Sequence, residues 1–342
     1  MATRKNATER PQIEQVSPSA AIAGGEIQIR GRGLAPSAQP QVKMGDAPAR
    51  VLVGSDSYVV VRVPEGASCR ELTVGDGGRQ AASWPCLIGL QIADSLHPVG
   101  NPAVDRHGNV FATFSGSRGQ KTPVAVYKIG RDGVVSPFIA DLMNATGLAF
   151  DRDGVLHVSS RYDGTVYRAA SDGSLSIYVE GMGIATGIAF DPGGNLFVGD
   201  RSGTIFKIST DRQIYVFATL EPSMAAYHLA IGPDGYLYVS GPTTSSYEAV
   251  HRISPAGDAE VFYRGLGRPQ GLAFDAEGRL YVAASIGGRK GIVRIGQDRS
   301  AELFLSGPQI VGLAFTPSRS MIVATTSMLY RVDVGIQGKP LP

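Results

Sequence analysis

The sequence predicts an all-β protein, a small β-sandwich followed by a six-bladed β-propeller. Three observations predict it. Short strands recur with a period near 40 residues through most of the chain, which is the signature of propeller blades. Before the repeat begins, strands follow one another at a different, tighter spacing. Glycine is abundant, 44 in 342 residues, nearly double the usual share of about 7%, as many tight turns require. Hydrophobic content of 43% and charged content of 18% are ordinary for a globular protein with a sizeable core.

Residues 1–10 are polar and read as a disordered tail. A sandwich is expected over 11–86. Pro11 to Val16 is a short alternating strand, Ser17-Pro18 and Ala23-Gly24-Gly25 are turns, and Glu26 to Arg30 alternates again before Gly31-Arg32-Gly33-Leu34. Val42 to Gly45, Ala49 to Val53, the strongly β-prone Tyr58 to Val63, Glu71 to Val74 and Gln80 to Trp84 complete about seven strands. The motifs P-x-I-x-x-V-S-P (Pro11 to Pro18), G-G-E-I-x-I-x-G-x-G-L (Gly24 to Leu34), V-x-x-G (Val42 to Gly45) and V-x-V-P-x-G (Val61 to Gly66) resemble the IPT/TIG family of immunoglobulin-like domains. The resemblance implies DNA contact, as in transcription factors, or a spacer or adhesive module. The strand segments carry no basic cluster, which favours the spacer.

A propeller is expected over 87–342. Aligned on the residue after each apolar triplet, the copies fall at Asp105, Asp151, Asp191, Gly232, Asp275 and Thr316. The copy from Ala185 to Ser209 is the cleanest. Gly187 to Phe190 is apolar, Asp191-Pro192-Gly193-Gly194-Asn195 turns, Leu196 to Gly199 alternates, Arg201-Ser202-Gly203 turns again, and Thr204 to Ile208 is β-branched and aromatic. A fourth run, Ile214 to Ala218, follows. The last copy lacks an outer strand, and Leu87 to Ala93 is placed to supply it, closing the ring and removing exposed edges. The aspartates after the inner strands are expected to cap D-x-x-G turns. Thr146 to Val158, Thr186 to Val198 and Gln270 to Val282 share T/Q-G-L/I-A-F-D-x-x-G-x-L-x-V. They resemble NHL-type propellers and, more distantly, the SMP-30/gluconolactonase/strictosidine-synthase-like group. That resemblance implies a lactonase, a lyase or a pure binding platform.

In the lactonase pattern, metal ligands sit just before the glycine that opens an inner strand, as E-G-P, P-N-G and D-G. The corresponding residues here are Gly100, Thr146, Thr186, Tyr227, Gln270 and Val311. None is Asp, Glu or Asn, so no metal and no cofactor is expected. Nor is there a phosphate loop, a zinc pattern or a nucleophile elbow. His157 stands where sister copies have Phe197, Tyr238 and Tyr281, and reads as a packed strand residue. His228 replaces the glycine of Gly147, Gly187, Gly271 and Gly312, and with Tyr227 it forms a pair expected at the mouth of the channel.

The turns between second and third strands carry arginine in four copies: Arg118, Arg161, Arg201, and Arg289 beside Lys290, with Arg268 nearby. If the copies superpose, these cations share one face, where guanidinium suits carboxylate or phosphate. The alternative is that each pairs with Asp163, Asp200 or a neighbouring blade. Only seven of the 32 basic residues are lysine, which fits either anion recognition or a GC-rich genome. The expected function is a non-enzymatic binding or scaffold protein whose arginine-bearing face engages an acidic protein or an anionic small-molecule ligand. The alternative is a degenerate lactonase- or lyase-like hydrolase with its pocket at Tyr227 and His228.

The net charge of +2 argues against nucleic acid. No run of apolar residues is long enough for a membrane span, and no secretory h-region follows the polar start. The chain is therefore read as soluble and cytoplasmic, or as secreted or on the cell surface if the N-terminus is trimmed. Cys69 and Cys86 form no disulfide framework, and whether they pair is left open, as is the oligomeric state.

Overall fold

The computed structural model describes residues 11–35, 39–75, 82–117, 119–244 and 248–342. The expected tail at 1–10 and Arg118 lie outside the described residues. The described residues form strands and turns and no helix, so none of them makes a helix long and apolar enough to cross a membrane.

Seven strands build the N-terminal unit in the order Gln12–Ser17, Glu26–Arg32, Tyr58–Arg62, Ala47–Gly54, Gln41–Met44, Glu71–Gly75, Ala82–Pro85. Hydrogen bonding runs through one eight-residue strand, Ala47–Gly54. Its first half pairs with Gln41–Met44 and its second half with Tyr58–Arg62, with a register shift between Val51 and Val53. A shift of this kind bends a strand and lets it serve two layers. The first and last strands come into contact. The wall so formed encloses Ile27, Ile29, Val59, Val61, Leu72 and Val74, the inward members of alternating sequences. Cys69 and Cys86 are both free thiols.

Six further sheets follow, five of four strands and one of six. The third shows the pattern: Ala185–Phe190, Leu196–Asp200, Thr204–Ile208 and Ile214–Thr219 run antiparallel from the centre outward. The innermost strands of the six sheets are Ala103–Val104, Ala145–Phe150, Ala185–Phe190, His228–Ile231, Leu272–Phe274 and Ile310–Phe315. Each touches the next, and the last touches the first, so they form a closed ring. The sixth sheet takes its outer strand, Leu90–Ala93, from the start of the repeat region, paired with Leu329–Val332. The turn aspartates behave alike. Asp105, Asp151, Asp191 and Asp275 each accept the backbone N–H four residues on at 2.8 Å.

Ala20–Ala21, which sequence reasoning placed among turns, is a strand. It lies parallel to the outer strand of the fifth sheet, Ala301–Ser306, and parallel to Leu87–Ile88 on its other side. Side chains alternate across it: Ala20 and Ile22 enter the propeller core, and Ala21 enters the sandwich core. Ile22 donates its N–H to Ser306 O at 2.9 Å, and the Ser306 hydroxyl accepts Glu26 N–H at 2.8 Å. The two units are thus stitched through a shared sheet.

The final residues cross the face that carries the first-to-second-strand turns. Ile336 N–H donates to Arg319 O, Gly338 bridges Asp275, and the Lys339 ammonium donates to Ile231 O at 2.9 Å. The segment therefore straps the sixth, fifth and fourth sheets together.

Candidate functional site

The ring leaves little room at its centre. At the six equivalent inner positions, four residues are glycine and two, Asn101 and His228, carry side chains. A Cβ on Gly271 would sit 2.1 Å from Asn101 Oδ1 and 2.5 Å from Gly312 Cα. A Cβ on Gly187 would sit 2.4 Å from Tyr227 O. Asn101 spans the space it fills. Its Nδ2 donates to Leu272 O at 2.8 Å and its Oδ1 accepts Leu313 N–H at 3.1 Å. His228 occupies the opposite side, its imidazole next to Gly100. The cavity left among Gly100, Asn101, Thr146, Gly187 and His228 is about 40 Å³, about the space of one water molecule.

Tyr227 and His228 both line this cavity, but their rings separate. Tyr227 directly precedes the strand His228–Ile231. The Tyr227 ring leaves the axis to pack between Gly199 and Gly241, and its hydroxyl donates to Glu221 O. Burial pushes that phenol up to about 12. The deep pocket that a hydrolase reading requires at this pair is replaced by the small cavity. The hydroxyls of Thr146 and Thr186, also at the mouth, donate to Asn144 O and Gly199 O.

His228 is 5% exposed, and burial pulls its imidazole down to about 4 from 6.5. The fold therefore holds it neutral, while the unfolded chain takes up a proton near pH 6.5. Stability falls as pH drops from about 6.5 to about 4, and this group takes no more below that. The gap is about 3 kcal/mol at 1.36 kcal/mol per pH unit. Chemical denaturation midpoints measured from pH 7 to 4 should show a decline that His228→Asn flattens. An equal decline in the variant would place the sensitivity elsewhere. His157, fully buried, stacks edge-on against Tyr178 and Phe190 with centroids 4.7 and 4.8 Å away, as a packed strand residue should.

Strand alternation puts the second-to-third-strand turns at one end of every sheet, and among the described residues Arg161 and Arg201 lie in such turns. They are bound to backbone carbonyls. Arg161 donates to Gly116 O in the preceding sheet at 3.0 Å. Arg201 donates to Ser223 O and Met224 O at 3.1 and 2.8 Å. Arg289 stands apart from the others. It begins the third strand of the fifth sheet, beyond the Gly287-Gly288 turn, and donates to Ser17 O at 2.7 Å. It is a strut between propeller and sandwich. Arg268 and Lys290 are exposed and flank Ser285, and the Arg268 backbone N–H meets the Glu248 carboxylate. A carbonyl orients a guanidinium without neutralising it, and Arg201, Arg268 and Lys290 have no carboxylate within ion-pair distance among the described residues.

A second cationic surface escaped sequence reasoning. At the opposite end, between the first and sixth sheets, a groove of about 1380 Å³ is lined by Arg106, Arg131, Arg319 and Arg331 with Lys128 and, from the sandwich, Arg70. The available signal was that Arg106, Arg131 and Arg319 all sit in inter-strand turns of the two copies that meet where the ring closes. Among the described residues no group of three or more His, Cys, Asp or Glu is placed to hold a metal ion.

Residues 11–86 match the IPT/TIG domain family. A search of curated proteins by sequence finds no match. Solved structures share the fold. A gluconolactonase from Xanthomonas campestris superposes with a TM-score of 0.61 at 17% identity, over 74% of this chain and 89% of that one. An auxiliary nutrient binding protein from Bacteroides ovatus matches 96% of this chain and 98% of its own, with a TM-score of 0.54 at 12% identity. A virginiamycin B lyase from Staphylococcus aureus covers 86% of this chain and 99% of its own, with a TM-score of 0.54 at 12% identity. At these identities the likeness establishes the fold, an IPT/TIG domain joined to a β-propeller, and leaves activity to the residues.

Proposed function

We propose that the chain is a non-enzymatic binding or scaffold protein whose propeller engages an acidic protein or an anionic ligand. The observation that carries this reading is the closed axis. Asn101 and His228 fill the position where a propeller enzyme would admit substrate, and leave about 40 Å³. Ligand pockets for small molecules run to about 300–1,000 Å³. Two cationic surfaces offer the binding chemistry, the arginine-bearing face and the groove at the opposite end. On the arginine-bearing face, carbonyl contacts hold Arg161 and Arg201 in place, while Arg268 and Lys290 reach into solvent. Preorganised cations lose little side-chain entropy on meeting an anion.

The test is fluorescence anisotropy with labelled poly-L-glutamate, run beside a screen of lactone and ester substrates. Binding should be saturable and should weaken severalfold between about 50 and about 200 mM salt, as multiple charge contacts require. The substrates should hydrolyse at the buffer rate. Turnover abolished by His228→Ala, or no binding of any anionic polymer at low salt, overturns the reading.

A further inference from the structure

We infer that the groove between the first and sixth sheets is the principal docking site, and that its partner is an extended, acidic polypeptide segment. This rests on the anion-binding reading above and names its seat and its partner.

Charge is concentrated there. The chain has 32 Lys and Arg against 30 Asp and Glu, so its surface is close to neutral on average. The groove gathers Arg70, Arg106, Lys128, Arg131, Arg319 and Arg331 against only Asp132 and Asp333. Both acids are occupied. Asp132 accepts Val134 N–H at 3.1 Å within its own turn, and Asp333 pairs with Arg70 at 3.1 Å and accepts the Ser320 hydroxyl at 2.9 Å. Among the described residues Arg106, Lys128, Arg131 and Arg319 have no carboxylate partner. Low-dielectric walls on both sides focus such a field.

Size and lining select the partner. About 1380 Å³ exceeds what a small anion fills, so a chain suits it better than a metabolite. No Phe, Tyr or Trp lines it. Single-stranded nucleic acid depends on such rings for base stacking. The apolar contacts are aliphatic instead: Ile92 and Val134, the latter 60% exposed, line the same groove. Cations and aliphatic side chains in one groove complement a peptide that carries both carboxylates and aliphatic residues. Arg70 comes from the sandwich, so the site is complete only when both units are docked.

The experiment uses the full chain and a dye-labelled peptide of repeated Glu-Glu-Leu, followed by anisotropy. Two variants are compared with wild type: Arg106→Gln/Arg131→Gln/Arg319→Gln in the groove, and Arg201→Gln/Arg268→Gln/Lys290→Gln on the opposite face. All six side chains except Arg201 are free of multiple backbone contacts, and unchanged thermal unfolding confirms that each variant folds. The groove variant should weaken binding at least about tenfold, and the opposite-face variant less than about twofold. If the opposite-face variant loses binding and the groove variant keeps it, the groove is overturned and the anion-binding reading stands. If an oligo(dT) strand binds more tightly than the peptide and the groove variant abolishes that, the choice of partner is overturned. If no anionic probe binds at low salt, both fall together.

Discussion

Asp275→Ala is expected to destabilise the protein by about 3 kcal/mol, the low end of the cost of removing one partner from a buried ion pair. Asp275 is 1% exposed. One carboxylate oxygen accepts the N–H groups of Glu277 and Arg279 at 3.0 and 2.8 Å, and the other meets Arg279 Nε and the Tyr281 hydroxyl, the latter at 3.1 Å. Truncation strands all four donors at once, and Tyr281 is fully buried. Arg279 keeps partial access to water, which holds the cost below the maximum. The terminal segment docks on the same turn through Gly338 and Gln337, so it should loosen too. Urea unfolding monitored by fluorescence gives the change in midpoint. Asp275→Asn, which retains a carbonyl acceptor, should recover part of the loss. A change under about 1 kcal/mol would mean that the strap, rather than the carboxylate, holds this turn.

The second large effect lies at the seam. Ile22→Ala should cost about 2–5 kcal/mol, the range for emptying a closely packed aliphatic site. Ile22 is 0% exposed and packs with Tyr281, Ile292 and Leu305 of the propeller while belonging to the sandwich by sequence. Its backbone is pinned by Ser306, so the neighbours have little freedom to collapse. Because one sheet is common to both units, wild type and variant should each unfold in a single transition, detected alike by far-UV circular dichroism and by the fluorescence of Trp84. A separate, earlier transition at Trp84 would show that the units melt independently and that the seam is weak.

Much of the fold was legible because it is written locally and repeated. The D-x-x-G turns, the apolar triplets and the missing outer strand of the last copy each follow from spacing, and Leu90–Ala93 does fill that gap. The seam was not legible. Ala20-Ala21-Ile22 is short, small and flanked by turn residues, and its partners are Leu305 and Ser306, so no window of sequence holds both. The site was legible only in part. The aligned glycines located the axis, and the substitution at His228 was visible. That the Tyr227 ring packs between Gly199 and Gly241 was not visible, because those glycines are distant in sequence. The turn positions of Arg161 and Arg201 were visible, but their carbonyl partners, Gly116, Ser223 and Met224, lie far along the chain, and Arg289 answers to Ser17 in the other unit. The groove was hidden for the same reason. Its six cations come from six turns and strands of the sandwich and of the first and sixth sheets, which only ring closure and domain docking bring together.

The order of the strands sets a timetable for synthesis. Leu90–Ala93 leaves the ribosome before any of the six sheets is whole, yet its partner is Leu329–Val332. Ala20–Ala21 emerges earlier still and waits for Ala301–Ser306. Until residues 310–332 have been made, the nascent propeller is an open arc with an unpaired edge at each end, the state in which strands recruit strangers. Two early segments are therefore among the last to find their partners, and a pause or a break late in translation would release a molecule whose first domain is folded while its propeller stands open.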